Sequence, residues 1–198
     1  MHFLSKIFIV ILFFAIQAIN LSAQDEPEKA ENLFDNSEVS GFAGVGLEIA
    51  SINGKPSLAF GTQGAVTFSG DNFSFLVGIY FLNPDTEHKA AYVPTDSETE
   101  VDLANWGAML GYIYRPAKLF HTRVGCRFGW GSIKNPATQN ATRPFILTPH
   151  VDLELNLSEH LKAAVGAGYK MYIGVDENLF ETSEFNSPMG QVALLWYF

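Results

Sequence analysis

Charged and apolar side chains are separated by parity along much of this chain. In residues 145–157, for example, Asp152 and Glu154 alternate with Val151 and Leu153. A two-residue period predicts a β-strand whose two faces meet different surroundings. The separation recurs from residue 41 to the C-terminus, so it constrains the fold more strongly than any short motif in the chain does.

Stretches with this alternation follow one another, separated by turn-forming residues. The pair Asn53-Gly54 predicts a tight hairpin, whereas the links 83–100, 131–144 and 174–188 are long. Strands of about ten residues, with short turns on one side and mostly long loops on the other, are typical of membrane-spanning barrels. Eight strands are predicted, at residues 41–52, 57–69, 73–82, 101–114, 119–130, 145–157, 161–173 and 189–198.

The polarity of the two faces distinguishes a soluble barrel from a membrane barrel. A soluble barrel points its apolar side chains inward, but here the charged parity also carries small residues, as the crowded interior of a narrow barrel needs. A basic side chain facing lipid costs roughly 2–4 kcal/mol at the midplane, and buried charges are tolerated when they are paired. We therefore predict a plugged interior with a lumen charge network. Its residues are Glu48, His121, Arg123, Arg127, His150, Asp152, Glu154, Lys162 and Lys170.

The predicted fold is all-β: an eight-stranded antiparallel up-and-down transmembrane β-barrel with a filled interior. Two places fit the pattern poorly. The parity of the fourth strand changes after Leu103, which predicts a bulge near Ala104 and Asn105. Pro149 lacks the N–H that a strand ladder needs, which predicts a bulge or a strand end at that position.

The chain begins with the layout of a secretory signal peptide. Lys6 precedes an apolar run, and the small residues Ser22 and Ala23 follow it. The run is shorter than the about 20 apolar residues that a membrane-spanning helix needs. We predict a signal peptide at residues 1–23, a flexible acidic periplasmic lead-in at 24–40 and the barrel at 41–198.

The last strand ends in aromatic residues, with Trp196 and Phe198 on the same parity as Val192 and Leu194. This ending resembles the C-terminal signal of bacterial outer-membrane β-barrel proteins. With the signal peptide and the strand rhythm, the chain resembles the small eight-stranded OmpA/OmpX-like group. The resemblance implies a Gram-negative outer membrane, contact with its lipid and lipopolysaccharide, and recognition of the last strand by the barrel assembly machinery. An even strand number places both termini in the periplasm.

Composition and spacing argue against several other functions. The chain has 12 basic and 21 acidic residues, a formal charge of −9, which argues against the basic surface that nucleic-acid binding needs. One cysteine and five scattered histidines give no zinc spacing, so no metal or cofactor is expected. His150 and Asp152 are spaced like a base and its orienting acid, and an internal hydrogen-bonded pair is the simpler interpretation of the same spacing. The Ser that lipid A deacylases place two residues from the catalytic His is missing beside His121 and His150.

The long links carry most of the remaining charge, with Phe180 and Phe185 among the acids of the last one. We hypothesise an acidic rim that binds divalent cations, or a basic or lipopolysaccharide-bound partner through exposed aromatic residues. Solvated charge that keeps the loops soluble is the simpler alternative. The rim residues are Asp85, Glu87, Asp96, Glu98, Asp176, Glu177, Glu181 and Glu184.

These observations predict an integral outer-membrane barrel with a structural or surface-binding role and no catalytic residues. A lipid A-modifying barrel enzyme is the alternative function. No motif in the chain specifies the surface partner.

Overall fold

The computed structural model describes residues 38–70, 72–84, 88–93, 97–135 and 141–198. Ten antiparallel strands and one 3-10 turn, Thr182–Glu184, make up most of these residues. No helix within the described ranges has the length and apolar character needed to cross a membrane. The strands are β1 (Glu38–Ile52), β2 (Lys55–Ser69), β3 (Phe73–Pro84), β4 (His88–Tyr92), β5 (Ser97–Tyr114), β6 (Phe120–Lys134), β7 (Ala141–Thr142), β8 (Phe145–Asn156), β9 (Leu161–Ile173) and β10 (Ser187–Tyr197).

Eight of these strands close into a barrel, which confirms the predicted fold. The hydrogen-bonded order is β5-β3-β2-β1-β10-β9-β8-β6, and β6 pairs with β5 to complete the circuit. The stagger of the barrel is ten residues: a path that starts at Val39 and passes from each residue to its partner on the next strand returns to β1 at Ile49. Eight strands with this stagger give a strand tilt of about 40° and a barrel radius of about 8 Å.

Short turns and the C-terminus lie at one end of the barrel, called the turn end, and the longer links lie at the other, called the loop end. The exception is the β1–β2 connection at the loop end, where Asn53 and Gly54 have φ values of 48° and 69°. Positive φ at both central residues is the requirement of the tight hairpin that the sequence predicted.

The strands are longer than predicted at several ends. Residues 38–40, predicted as part of the lead-in, begin β1 because β2 runs on to Ser69 and pairs with Glu38. Residues 1–37, which hold the predicted signal peptide and most of the lead-in, lie outside the described residues. The long third link contains β4, which pairs with the first residues of β5. β4 and the first residues of β5 therefore form a separate two-stranded ribbon at the loop end.

Both predicted bulges are absent from the described strands. The pairing of β5 with β6 keeps one register through Ala104 and Asn105. Leu103 lies on the inward face although it is apolar, because it packs in an apolar cluster at the loop end. At Pro149 the register of β8 is unchanged on both sides, and the ladder to β9 is merely interrupted between Leu147 and His150.

The outer surface is apolar between two bands of exposed aromatic residues. No charged side chain of the described strands faces outward between these bands. Trp106 and Tyr114 lie in opposite bands of the same strand, β5, which places the bands about 20 Å apart at the tilt given above. The turn-end band is Phe73, Phe75, Tyr112, Tyr114, Phe120, Trp196 and Phe198. The loop-end band is Phe60, Phe81, Trp106, Trp130 and Tyr169.

This arrangement matches a membrane protein rather than a soluble barrel. An apolar zone flanked by aromatic residues is the surface that a bilayer solvates, because the rings sit at headgroup level on each side. The inside-out polarity predicted from the sequence is therefore confirmed.

Tryptophan fluorescence tests this placement, because all three tryptophans, Trp106, Trp130 and Trp196, lie in the aromatic bands. In vesicles made from lipids brominated at defined depths, bromines near the headgroups should quench the emission more than bromines near the acyl-chain ends. Variants that keep one tryptophan, with the other two replaced by Phe, should all report the same shallow depth. Maximal quenching at the bilayer centre would contradict the placement of the bands.

Candidate functional site

The charged interior is the first candidate site, and it is built from strands on opposite walls of the barrel. Glu48 projects from β1, and Arg127 projects from β6, which is four strands away in either direction around the barrel. In a barrel of about 8 Å radius, two long side chains from opposite walls meet near the axis. All nine residues of the predicted lumen charge network are buried.

Glu48 joins three strands through two basic side chains. Arg127 Nη2 donates to Glu48 Oε2 at 2.5 Å, and Lys170 Nζ donates to Glu48 Oε1. The Arg127 guanidinium carbon also lies 5.4 Å from the centroid of the Tyr80 ring on β3. This group, the Glu48 cluster, therefore connects β1, β3, β6 and β9 through the centre of the barrel.

A second cluster, centred on Arg123, joins the neighbouring strands β6 and β8. Arg123 Nε donates to Asp152 Oδ2 at 2.8 Å, and Arg123 Nη1 lies 3.0 Å from Glu154 Oε1. Glu154 Oε2 is in turn 2.9 Å from His121 Nε2. Since Arg123 is paired with Asp152 and His121 with Glu154 in the ladder, strand register alone brings these groups together.

Asp152 also has contacts on its other side. Gln191 Nε2 of β10 donates to Asp152 Oδ1 at 2.5 Å. A Cβ on Gly166, the residue of β9 that faces Asp152 in the ladder, would lie 1.8 Å from the same oxygen. The missing side chain of Gly166 thus creates the space for this carboxylate.

His150 and Asp152, for which the sequence left open an internal hydrogen-bonded pair or a base and its orienting acid, lie in the middle of β8. His150 Nε2 is 3.7 Å from Asp152 Oδ2, beyond hydrogen-bond distance, and His150 Nδ1 donates to the Thr148 carbonyl at 3.1 Å. The ring occupies the space above Gly125, where a Cβ would lie 2.8 Å from His150 Nε2. The imidazole is therefore packed against the barrel wall rather than presented at a rim.

Lys162 completes the lumen charge network near the turn end. Its Nζ lies 4.0 Å from the centroid of the Tyr197 ring, a cation–π contact. The three buried carboxylates of the network face four Lys and Arg side chains. The interior is thus nearly compensated in charge before the two histidines are considered.

The second candidate site is the loop-end surface, which differs from the prediction. Residues 174–186, called the loop cap, fold over the barrel mouth. Phe180 and Phe185, predicted to be exposed, are both fully buried and make an edge-to-face contact with centroids 6.2 Å apart. They pack with Ile52, Leu103 and Ile133 of the barrel wall. The apolar mouth binds these rings because water would otherwise contact both surfaces.

Hydrogen bonds fix the loop cap to three other parts of the loop end. Asn53 N donates to the Glu184 carbonyl at 2.8 Å, and Val93 N donates to the Leu179 carbonyl at 3.0 Å. Asp176 N donates to Thr142 Oγ1 at 3.0 Å. The cap is therefore an ordered part of the barrel.

The predicted acidic rim is divided between described and undescribed residues. Asp176, Glu177 and Glu181 of the loop cap are exposed, and Glu184 is partly exposed. Glu98 lies in β5 opposite Ala91, while Asp85, Glu87 and Asp96 lie outside the described residues. Within the described part of the chain, no three His, Cys, Asp or Glu residues form a group that could hold a metal ion.

The C-terminal residues close the barrel at the turn end. Phe198 N donates to the Gly41 carbonyl at 2.9 Å, and Gly41 N donates to the Phe198 carbonyl at 3.0 Å. Trp196 and Phe198 both point outward, and the Trp196 ring stacks on His160 with centroids 5.9 Å apart. The predicted assembly signal thus lies on the lipid-facing side of the last strand.

Several contact residues were missed by sequence reasoning. Tyr80 and Gln191 reach the charged interior, yet an isolated Tyr or Gln in a strand carries no distinctive pattern. The sequence signal for Gly166 was its position between Lys162 and Lys170 on one parity. Phe180 carried no signal of burial, because a loop has no period from which to infer a face.

Comparison with known proteins supports the fold alone. No protein-family model matches the chain, and no curated protein does. The crystal structure of Neisserial surface protein A (NspA) is similar, with a TM-score of 0.53 and 12% identity over 82% of this chain and 98% of that one. Ail, the attachment invasion locus protein of Yersinia pestis, is similar with a TM-score of 0.50 and 10% identity, over 82% of this chain and 99% of that one. The chain thus has the fold of the small eight-stranded outer-membrane barrels of the OmpA/OmpX type.

Proposed function

We propose that this outer-membrane barrel is a non-conducting membrane anchor that presents an acidic surface to partners outside the cell, without catalysing a reaction. The closed interior is the observation that carries the proposal. Within the described residues, the ion pairs and the loop cap fill the interior and enclose His121 and His150, which leaves the outer surface as the part that meets other molecules.

Apolar and charged side chains together fill the interior. Phe42, Met109 and Ile113 belong to an apolar cluster, and the lumen charge network extends beside it, from the Glu48 cluster to Lys162 near the turn end. The two cavities described beside Glu48 measure about 20 Å³ and about 10 Å³. The loop cap covers the loop end. Spaces of this size hold single water molecules, so the filling supports a structural role rather than transport.

The orientation in the membrane follows from the asymmetry of the two ends. Barrels of this class have short periplasmic turns and longer extracellular loops, so the loop end faces outward and both termini face the periplasm. Asp176, Glu177 and Glu181 are then exposed to the medium on the loop cap. Like charges on one rigid surface attract a partner of opposite charge, so we infer a basic surface partner.

The last strand supports a further part of the proposal. Trp196 and Phe198 point towards lipid at the turn end, where a periplasmic assembly factor has access to them. We infer that the barrel assembly machinery recognises this strand, and that lipid and lipopolysaccharide surround the finished barrel.

Conductance tests the non-conducting role. The refolded protein in planar bilayers should show no stable channel openings, because the ionic layer fills the lumen. A variant carrying Phe180→Ala and Phe185→Ala should also stay closed, since it loosens the loop cap and leaves the ionic layer intact. Reproducible openings of the unmodified protein would contradict the proposal.

Replacement of Glu48 tests whether the ionic layer supports the barrel. Glu48→Gln leaves Arg127 and Lys170 buried without their carboxylate, so the free energy of unfolding should fall by about 3–5 kcal/mol, measured by urea titration in lipid vesicles. Glu159→Gln, in an exposed turn, is the matched control and should change stability by less than about 0.5 kcal/mol. Equal stability of the two variants would show that the Glu48 cluster contributes nothing.

The loop surface is tested by removing its charge. A variant with Asp176→Asn, Glu177→Gln and Glu181→Gln, in nanodiscs of zwitterionic lipid, should bind a fluorescent oligolysine about tenfold more weakly, a loss of about 1.4 kcal/mol. The difference should shrink as salt is raised, because exposed charges are screened. Glu159→Gln at the turn end is again the control, and unchanged binding by the triple variant would argue against an acidic docking surface.

A further inference from the structure

We propose that the barrel interior binds one ordered water molecule between Tyr80 and Arg127. The larger of the two cavities beside Glu48, of about 20 Å³, lies between these side chains and is also lined by Gln63 and Gln191. One water needs roughly 10–15 Å³ of such space. The proposal goes beyond the surface role above, because it concerns a ligand of the lumen.

Two buried polar atoms at this cavity lack a protein partner. Within the described part of the chain, neither the Tyr80 hydroxyl nor Arg127 Nε has a hydrogen-bond partner. Both residues are about 5% exposed, so bulk solvent does not satisfy them. Buried polar groups are nearly always bonded to protein or to ordered water, and a cavity lined by both residues provides the place for that water.

The chemistry of the lining matches the hydrogen bonds that water makes. Arg127 Nε–H donates to the water oxygen, since a guanidinium has donors only. The Tyr80 hydroxyl donates or accepts, and the Glu48 carboxylate accepts a hydrogen from the same molecule. This gives the two to four polar partners that hold a buried water in place.

The Tyr197 hydroxyl and the smaller cavity beside Glu48 do not make an equivalent site. The Tyr197 hydroxyl is also buried without a partner, but it lines neither of the two cavities beside Glu48. The smaller cavity, beside Lys170 and Tyr172, measures about 10 Å³, at the lower limit for one water. Of the two cavities described beside Glu48, the one on the Arg127 side is therefore the proposed site.

The proposed water extends the Glu48 cluster to a further wall of the barrel. Arg127 and Lys170 connect Glu48 on β1 to β6 and β9, whereas Tyr80 on β3 touches the cluster only through its ring face. A bound water adds a hydrogen bond from β3. It is held by fixed partners on several walls, so it exchanges slowly.

Nuclear magnetic resonance of the full barrel in nanodiscs tests this site. The Hε of Arg127 should show a nuclear Overhauser effect to water with the sign that marks a long residence time. Tyr80→Phe keeps the ring and removes only the hydroxyl, so it should shorten the residence about tenfold, the factor for losing one hydrogen bond of about 1.4 kcal/mol. Ala193→Leu places a larger side chain in the cavity lining and should abolish the effect.

Leu194→Val, an outward change on the residue after Ala193 that does not line the cavity, is the matched control and should leave the effect unchanged. Two results would overturn the proposal. One is an Arg127 Hε signal that is observed but shows no Overhauser effect to water, and the other is an Overhauser effect that is unchanged in both cavity variants. If the Ala193→Leu variant does not fold, the Tyr80→Phe variant alone tests the site. If the Hε signal is broadened away, a crystal structure decides by the presence or absence of density within about 3.2 Å of both atoms. None of these outcomes bears on the non-conducting role, which the conductance measurement tests separately.

Discussion

The pairing of charges across the lumen is the interaction on which the rest of the structure depends. Hydrocarbon excludes ionic groups from the outer face, so every charge in the middle of a strand must turn inward. An isolated ion in that dry space is costly, and a good partner offsets most of the cost. Closure of the sheet supplies the partners. It brings β1 opposite β6 at a distance that Glu48 and Arg127 span together.

The narrow barrel that makes this pairing possible also limits which side chains fit. Space for Asp152, His150 and Ile146 is available because glycines lie beside them, and a Cβ on Gly166, Gly125 or Gly131 would lie 1.8 Å, 2.8 Å or 2.6 Å from these side chains. At Gly107 and Gly129, which face each other across β5 and β6, a Cβ would lie 2.3 Å and 2.1 Å from backbone oxygens of the partner strand. The inner face therefore holds large charged residues because glycines lie at other inward positions.

Parity made the fold and the buried set predictable, but it specifies only which face a residue occupies. It does not give the height along the barrel, which depends on the stagger accumulated over all eight strands. The Arg123–Asp152 pair follows from the register of two adjacent strands, whereas the contact of Glu48 with Arg127 and Lys170 appears only after closure. The bulge expected at Ala104 failed for the same reason: Leu103 is apolar yet inward, because it lies at the height of the loop cap.

The loop cap connects the interior to the proposed surface function. The same short segment buries Phe180 and Phe185 and exposes Asp176, Glu177 and Glu181. Burial of the rings excludes water from the barrel mouth, which lowers the local dielectric constant and strengthens the ion pairs beneath. It also fixes the acidic side of the loop, so that the partner proposed above would not have to order it on binding. In the proposed function, the aromatic residues contribute by positioning the charges rather than by touching the partner.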